Sequence, residues 1–264
     1  MSEFEQRFGG IGRLYGTQAL ERLRQAHVAV IGIGGVGSWA AEALARSGIG
    51  KLTLIDLDEV CVTNTNRQIH ALDGTIGRAK AGVMAERIQA INSECRVQAV
   101  EDFLALDNLA ELIAPDLDAV LDAIDNARVK AALVAYCLRR KLPLVCVGGA
   151  GGKRDPTQVR VADLNRSERD PLLARVRQHL KRFHNLSRSP GKKFGVECVY
   201  SPEAPVYPWA DGTICAQRPT AEGPLRLDCA GGFGAATHVT GTFAFFAVAR
   251  VLRRLLSQPL SAQA

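Results

Sequence analysis

Hydrophobic and polar positions form blocks that predict alternating strands and helices along the first 150 residues. Short apolar runs bounded by glycine or polar residues are typical of buried strands, and apolar positions at helical spacing indicate amphipathic helices. The predicted strands are residues 27–32, 51–56, 96–102, 119–125 and 143–148. The predicted helices are residues 36–47, 77–91 and 126–141.

This alternation predicts an α/β fold with a doubly wound, mostly parallel sheet of the Rossmann-like type. The pattern changes after residue 151, where "PTQVRVADL" and "FGVECVYSPE" read as strands on either side of an amphipathic helix over 169–184. We therefore expect an antiparallel extension of the sheet in the C-terminal half. A crossover rich in proline and glycine follows over 201–224.

The last predicted helix, residues 234–256, is apolar enough to suggest a membrane span. A histidine, three threonines and an arginine interrupt it, so it falls short of the ~20 apolar residues that a span needs. We expect a helix packed in the core or at a dimer interface, and no stable membrane insertion.

Composition places the chain among ordinary globular proteins, at 47% hydrophobic and 23% charged residues. Its seven cysteines are scattered and never form Cys-x-x-Cys, which argues against a disulfide framework and against zinc. No basic, then apolar signal segment opens the sequence. These features predict a cytoplasmic protein.

Positive charge is concentrated in one part of the chain. Residues 128–193 hold 17 Lys and Arg against 4 Asp and Glu, although the net charge of the whole chain is only +6. Such asymmetry indicates a polyanionic partner, with nucleic acid as the first candidate. A well-solvated surface explains the charge counts equally well.

A nucleotide site is predicted between the first two strands. Gly32, Gly34 and Gly37 form a Gly-x-Gly-x-x-Gly turn that leads from a strand into a helix. Such a turn brings backbone N–H groups to phosphate, and Asp56 or Asp58, at the end of the second strand, can bind ribose hydroxyls. NAD and ATP fit this much equally well.

Cationic residues further along the chain favour ATP over NAD as the bound nucleotide. "CVTNTNRQIH" supplies Asn66 and Arg67, "IGRAK" supplies Lys80, and "LDAIDN" places Asp125 near the end of the fourth strand. Arginine and lysine neutralise charge on a triphosphate, and a carboxylate can hold Mg²⁺ that bridges phosphates. Each residue alone is explained by helix capping or surface solvation, but the ordered set is more specific.

The motifs RFGGIGRLYG, GIGGVG, LIDLDEV, NTNRQ, GRAK and LDAIDN together resemble the ubiquitin-activating-enzyme-like adenylating superfamily. The resemblance covers residues 7 to about 150 and implies binding of Mg-ATP and activation of an acyl carboxylate. The residues that it assigns to the phosphates are Gly32, Gly34, Gly35, Gly37, Asn66, Arg67 and Lys80. It places Asp58, with Asp56, at the ribose and Asp125 at the magnesium. Arg13 matches an arginine that family dimers insert into the partner's site, which implies a homodimer.

The C-terminal half indicates which branch of the superfamily the chain resembles. The two Cys-x-x-Cys pairs common in members that activate sulfur carriers are missing, and "DGTICAQRPTAEGPLRLDCAGGFGAATHVTGTFAFFAV" is similar to the tRNA threonylcarbamoyladenosine dehydratase branch. That branch uses ATP to activate the free carboxylate of threonylcarbamoyladenosine beside the anticodon, and an internal carbamoyl atom then closes a ring with loss of water. The basic helix would contact tRNA phosphates through Arg175, Arg177, Lys181 and Arg182.

We therefore predict one domain over residues 1–264, with an ATP-binding half (1–150) and a half that faces tRNA and the dimer partner (151–264). The branch is also associated with a cysteine-desulfurase and sulfur-acceptor relay. Cys229 is the candidate reactive thiol, although a small buried cysteine is the more ordinary interpretation. A monovalent cation near the crossover is left open.

Three other functions compete with this one. A superfamily member could instead adenylate the C-terminal glycine of a ubiquitin-like sulfur carrier, for which the zinc cysteines would be the distinguishing feature. An NAD oxidoreductase would leave Arg67, Lys80 and Asp125 together unexplained. A non-catalytic binding module fits least, because the set of phosphate-handling residues is intact.

Overall fold

The computed structural model describes residues 2–189, 191–209, 211–216 and 233–257. Two helices that the sequence patterns did not indicate open the chain: α1 (Glu3–Tyr15) and α2 (Thr17–Gln25). Three glycines in α1 lower its intrinsic helix propensity, but a capping box between Ser2 and Glu5 satisfies its first N–H groups. Tertiary packing supplies the remaining stability through Phe4, Phe8 and Leu20.

Seven strands form the main sheet in the order β3-β2-β1-β4-β5-β7-β6. The strands are β1 (His27–Ile31), β2 (Lys51–Ile55), β3 (Arg96–Val100), β4 (Ala119–Asp122), β5 (Leu144–Val147), β6 (Arg160–Asp163) and β7 (Glu197–Tyr200). Every pairing is parallel except that of β6 with β7. The predicted mostly parallel sheet with an antiparallel C-terminal extension is confirmed.

Helices cover both faces of this sheet. They are α3 (Gly37–Arg46), α4 (Lys80–Ile91), α5 (Leu109–Leu112), α6 (Ala127–Arg140), α7 (Pro171–His184) and α8 (Thr237–Ser257). Alternate β1 residues point to opposite faces, so Val28 and Val30 pack with α3, α4 and α8. Ala29 and Ile31 pack with α6 and α7 on the other face.

Two of the predicted boundaries that differ from the structure lie beside the nucleotide motifs. The fourth strand ends at Asp122 rather than at residue 125, because Asp122 accepts a hydrogen bond from the Ile124 N–H that turns the chain. Helix α4 begins at Lys80 rather than at residue 77, because Gly77 has a φ of 80°. Asp125 and the GRAK motif therefore belong largely to loops.

The C-terminal helix packs in the core. Within α8, Val239, Phe243, Ala247, Val251 and Leu255 are buried at a spacing of four residues. Among the helices of the described residues, none has the length and apolar character to cross a membrane. The described part of the crossover contains a short antiparallel pair, β8 (Tyr207–Pro208) with β9 (Ile214–Cys215).

Candidate nucleotide-binding site

The glycine turn joins the carboxyl end of β1 to the first turn of α3. Gly32 has a φ of 84°, and a Cβ there would lie 3.0 Å from the Ala123 carbonyl oxygen. A Cβ on Gly37 would lie 1.7 Å from the Gly32 carbonyl oxygen. Both positions therefore require glycine, whereas a Cβ on Gly34 would meet no atom within 4 Å. The open side of the turn lies at Gly34.

The start of α3 offers N–H groups to a ligand. Within the residues that the structure describes, Val36 at the N-cap makes no side-chain capping hydrogen bond to these donors. A helix that begins in this way attracts anions through its N–H groups and its dipole. In the first turn, the Ser38 hydroxyl is buried and has no hydrogen-bond partner among the residues described by the structure.

Asp56 is tied to the backbone of the glycine turn. Its Oδ2 accepts a hydrogen bond from the Ile33 N–H at 2.6 Å, and its Oδ1 accepts one from the Asp58 N–H at 2.9 Å. Burial raises the pKa of Asp56 above its ordinary value, while Lys80 and these two N–H groups act to lower it. The side chain thus fixes the turn relative to the end of β2.

Asp58 and Lys80 form an ion pair at the same edge of the sheet. The Lys80 Nζ donates to Oδ2 of Asp58 at 2.7 Å, and the Lys80 N–H donates to the Asp58 carbonyl at 2.9 Å. The Lys80 side chain is 8% exposed and that of Asp58 is 54% exposed. The lysine stem is therefore held by the protein, while the carboxylate faces solvent.

Arg67 lies against the glycine turn. A Cβ on Gly35 would be 3.3 Å from the Arg67 Cγ, and the Arg67 guanidinium donates to the Thr63 carbonyl at 2.8 Å and to Oδ1 of Asn66 at 3.0 Å. The Trp39 indole N–H donates to the Arg67 carbonyl at 3.0 Å. The half-buried arginine is thereby held at the turn from two sides.

The start of α8 holds the same segment. Asn66 donates through Nδ2 to the Ala235 carbonyl at 2.8 Å, and the Thr237 hydroxyl donates to the Asn66 carbonyl at 2.6 Å. A Cβ on Gly35 would also lie 3.2 Å from the Thr240 methyl group. Residues more than 160 positions apart thus meet at the turn, a contact that no local sequence pattern indicates.

Asp125 is exposed in the loop between β4 and α6. Ile31 pairs with Asp122, and a Cβ on Gly32 would touch Ala123, so this loop leaves the sheet beside the glycine turn. The following residue, Asn126, caps α6 by accepting from the N–H groups of Arg128 and Val129. The carboxylate of Asp125 is free of this capping role.

A buried ion pair below this loop was not predicted from the sequence. Lys130 and Asp122 are both fully buried, with 2.8 Å between Nζ and Oδ1. Burial acts to lower the pKa of Lys130, but the adjacent Asp122 carboxylate raises it. The only sequence signal was a lysine within the otherwise apolar face of α6.

Arg13 stands apart from these residues. It is exposed on α1, and its guanidinium lies along its own helix, near the positions where Gly9 and Gly10 would carry a Cβ. Within the described part of the chain, no hydrogen bond or ion pair joins Arg13 to the nucleotide-binding residues. The chain by itself does not bring Arg13 into the site.

The four basic residues of α7 have different environments. Arg175, Lys181 and Arg182 are exposed. Arg177 is half-buried and donates to the Leu164 carbonyl at 3.0 Å and to the Ser167 hydroxyl at 2.6 Å. Its guanidinium therefore stabilises the 164–167 turn, and the exposed basic surface contains the other three.

Helix α7 is anchored to the nucleotide-binding edge of the sheet. Asp170 at its N-cap is buried, accepts from the Leu173 N–H at 2.9 Å and accepts from the Gly149 N–H at 3.0 Å. Gly149 follows the carboxyl end of β5. Burial raises the pKa of Asp170, against the effect of these N–H groups. One carboxylate thus fixes the basic helix to the sheet edge.

The thiol and metal candidates are only partly covered by the structure. Cys229 lies outside the described residues. Cys146 and Cys198 are buried opposite each other on β5 and β7. Among the side chains that the structure describes, no three His, Cys, Asp or Glu residues are grouped to hold a metal ion.

Residues 10–261 match the model of the ThiF family. The chain is 58% identical to tRNA threonylcarbamoyladenosine dehydratase of Escherichia coli (strain K12), over 97% of this chain and 95% of that protein. By contrast, molybdopterin-synthase adenylyltransferase of the same strain is 38% identical over 47% of this chain and 50% of its own length.

Solved structures agree with this relationship. A structure of TcdA (CsdL) superimposes with a TM-score of 0.89 at 54% identity, covering 97% of this chain and 96% of that one. E. coli tRNA N6-threonylcarbamoyladenosine dehydratase, TcdA, in complex with ATP gives a TM-score of 0.86 at 52% identity, with the same coverage. The chain therefore belongs to the ThiF family, among relatives that are named tRNA threonylcarbamoyladenosine dehydratase.

Proposed function

We propose that this protein catalyses the ATP-dependent dehydration of threonylcarbamoyladenosine in tRNA to its cyclic form. The observation that carries the proposal is the 58% identity to the E. coli dehydratase over nearly the full length of both chains. The molybdopterin relative matches only half of the chain, so adenylation of a ubiquitin-like sulfur carrier has less support. ATP and tRNA as substrates also suit a cytoplasmic protein.

The ATP phosphates would bind at the open side of the glycine turn. Gly34 leaves space there, the uncapped start of α3 supplies N–H donors, and Arg67 lies against Gly35. Lys80 is held at the same edge by Asp58. Asn66 orients the Arg67 guanidinium through its Oδ1. These donors suit a polyphosphate, because each places positive charge or an N–H group at one edge of the sheet.

The ribose would bind to Asp58. Its carboxylate is more than half exposed and is bound through Oδ2 to Lys80, so Oδ1 would be the oxygen that accepts from a ribose hydroxyl. Asp56 is buried, and both of its oxygens already accept backbone N–H groups. We therefore assign Asp56 to positioning the turn and Asp58 to direct contact with the ribose.

Magnesium would be organised by Asp125. Mg²⁺ is commonly bound by one or two carboxylates together with the phosphates of the substrate, and the exposed Asp125 carboxylate beside the turn fits that donor set. Bound there, the ion would neutralise charge on the phosphates.

A monovalent cation near the crossover would need carbonyl oxygens as ligands. The carbonyls of Ser201 and Glu203 are of that kind, and they already accept hydrogen bonds from the Lys153 ammonium.

The reaction has two chemical parts. An oxygen of the substrate carboxylate attacks a phosphorus atom of ATP and displaces the rest of the nucleotide from it, as pyrophosphate if the α-phosphorus is attacked or as ADP if the γ-phosphorus is attacked. This converts a poor electrophile into an activated acyl group. A nucleophilic atom of the carbamoyl group in the same molecule then attacks the acyl carbon, and the former carboxylate oxygen leaves on phosphorus. Water is thereby removed overall at the expense of ATP. Because the nucleophile belongs to the same molecule, positioning supplies much of the rate acceleration.

The tRNA would approach the C-terminal half. Arg175, Lys181 and Arg182 present positive charge on α7, and Asp170 fixes that helix to the edge of the sheet where ATP would bind. Phosphate contacts from arginine and lysine dominate affinity for nucleic acids. The proposed division of the single domain is therefore an ATP-binding half (1–150) and a tRNA-facing half (151–264).

Dimerisation would complete the site. Arg13 is exposed on α1 and forms no ion pair with any residue of the described ranges, so its guanidinium would be available to a second copy of the chain. We also keep a sulfur-relay partner acting through Cys229 as a proposal.

Mass spectrometry of nucleosides tests the proposed function. The purified protein is incubated with ATP, Mg²⁺ and tRNA that bears threonylcarbamoyladenosine, and the tRNA is then digested. We expect a nucleoside lighter by one water, formed only with ATP. An unchanged nucleoside, together with ATP-dependent adenylation of a carrier protein ending in Gly-Gly, would favour the sulfur-carrier alternative.

A further inference from the structure

A groove of about 360 Å³ lies between α6, α7 and the segment around α5. Its lining includes Phe183, which continues along α7 the apolar stripe formed by Leu173, Val176 and Leu180. Leu173, Val176 and Leu180 of that stripe are fully buried, whereas Phe183 is 51% exposed. An aromatic ring thus faces solvent from the groove, at the end of the basic helix.

Flat or cationic groups surround this ring. The guanidinium carbons of Arg182 and Arg128 lie 5.2 Å and 5.9 Å from its centroid. The His179 ring stacks on it with centroids 5.4 Å apart and planes inclined by 20°. Arginine near an aromatic face gains cation–π energy and remains able to bind phosphate. The ring and its cations form one compact cluster.

The rest of the groove is lined by apolar side chains, such as Leu106, Leu109 and Ala132, together with Arg139 and His184 from α6 and α7. Among the lining residues that the structure describes, Asp107 is the acidic one. Burial, Arg139 and His179 all lower the pKa of His184, which favours its neutral imidazole. A protein partner that filled the groove with apolar side chains would bury these guanidinium groups without a counter-charge.

Exposed aromatic rings among cations are how proteins bind single-stranded nucleic acid. The base stacks on the ring and the cations follow the backbone, whereas bases within a duplex are already stacked and out of reach. A site that bound only phosphate groups would need cations but no aromatic ring. The combination therefore favours unpaired nucleotides over paired ones.

We propose that the groove between α6 and α7 binds an unpaired nucleotide of RNA, whose base stacks on Phe183 while Arg128 and Arg182 contact the adjoining phosphates. The inference rests on the proposed function, since tRNA would be the RNA and its unpaired loops would supply the nucleotide. It adds a site that distinguishes looped from paired RNA, which the basic surface of α7 alone would not do.

Binding of two RNA probes tests this site. One probe is an RNA hairpin with an unpaired loop that carries a fluorescent 2-aminopurine base, and the other is a fully paired duplex of the same length. Phe183→Leu keeps apolar volume but removes the π face, and Phe183→Trp restores a π face. Since stacking contributes about 1–3 kcal/mol per base, Phe183→Leu should weaken hairpin binding about 5- to 150-fold. Duplex binding and ATP binding should stay unchanged.

Fluorescence separates stacking from general binding. We expect the 2-aminopurine fluorescence of the hairpin to be quenched when it binds the wild type or Phe183→Trp, and to stay unquenched when it binds Phe183→Leu. Equal hairpin affinity of Phe183→Leu and the wild type would overturn the inference, as would an equal loss of duplex binding. Dehydration by the wild-type protein is measured in parallel. If the wild type forms product but Phe183→Leu binds the hairpin as tightly as the wild type, the proposed function stands and the groove is rejected. If hairpin binding depends on Phe183 but the wild type forms no product, the groove stands and the proposed function is rejected.

Discussion

The Nζ of Lys80 lies 2.7 Å from Oδ2 of Asp58, across the gap between the start of α4 and the end of β2. A backbone hydrogen bond between the same two residues reinforces this contact. The sequence separates them by 22 positions, and the turn at Gly77 returns the chain so that Lys80 meets Asp58 next to Asp56, the residue that binds the glycine turn. A cation and an acceptor are thereby fixed at the edge where ATP would bind.

Lys80→Met should weaken ATP binding at least about tenfold, the equivalent of one charge-assisted contact of about 1.4 kcal/mol. Isothermal titration calorimetry measures the affinity. Lys51→Met is a matched control, because Lys51 also donates to an aspartate, Asp116, at 2.7 Å, but from the opposite end of β2. Equal ATP affinity of the two variants would contradict the role of Lys80.

Asp125→Asn should reduce turnover about a hundredfold or more, because removing a group that stabilises transition-state charge has an effect of that size. The loss should concern turnover with Mg²⁺ and leave the thermal unfolding midpoint near that of the wild type, since Asp125 is exposed and does not cap α6. Glu21→Gln, which removes one exposed charge from α2, is the control. Full activity of Asp125→Asn would remove this residue from the site.

Arg13→Ala should be inactive by itself but rescued in mixtures. If Arg13 acts in the partner's site, a dimer of one Arg13→Ala and one Asp125→Ala subunit has one intact site. Random exchange of subunits should then restore about a quarter of the wild-type activity. Dehydration activity is followed after the inactive variants are mixed. A mixture that stays inactive despite measured subunit exchange would contradict the shared site.

Charge reversal on α7 should weaken tRNA binding and reduce its dependence on salt. Each of Arg175→Glu, Lys181→Glu and Arg182→Glu should lower the slope of log affinity against log salt by about one. Fluorescence anisotropy at several salt concentrations measures the slope, with ATP binding as the check on folding. Arg96→Glu is the control, because Arg96 is exposed on the edge strand β3 at the far side of the sheet. If the α7 variants and the control variant had the same slope of log affinity against log salt, the charges of α7 would be solvated and would not contact tRNA.

Breaking the buried pair of Lys130 and Asp122 should destabilise the fold. Lys130→Met leaves a buried carboxylate uncompensated, which costs about 3–5 kcal/mol in the free energy of unfolding. Adding Asp122→Asn to Lys130→Met should recover part of this loss, because no buried charge then remains. Urea denaturation measures both free energies. A Lys130→Met variant as stable as the wild type would show that the pair contributes little.

Local sequence patterns correctly predicted those elements whose determining residues all lie within one segment of the chain. The parallel strands and the helices α3, α4 and α6 follow from hydrophobic periodicity, because each element buries its own apolar face. The glycine turn follows from steric limits at Gly32 and Gly37, which admit no other residue. By contrast, the glycine content of α1 masked a helix whose stability comes from packing against α2.

The sequence by itself determined the fold class, the family and the set of residues proposed to bind ATP, since these depend on periodicity and on ordered short motifs. Only the tertiary structure decided which of those residues are exposed and which already have hydrogen-bond partners. It buried Asp56 and left Asp58 exposed, engaged Arg177 in a turn and turned Phe183 toward solvent. The physical reason is that exposure and hydrogen-bond partners depend on segments distant in sequence, such as α8 at Asn66 and β5 at Asp170.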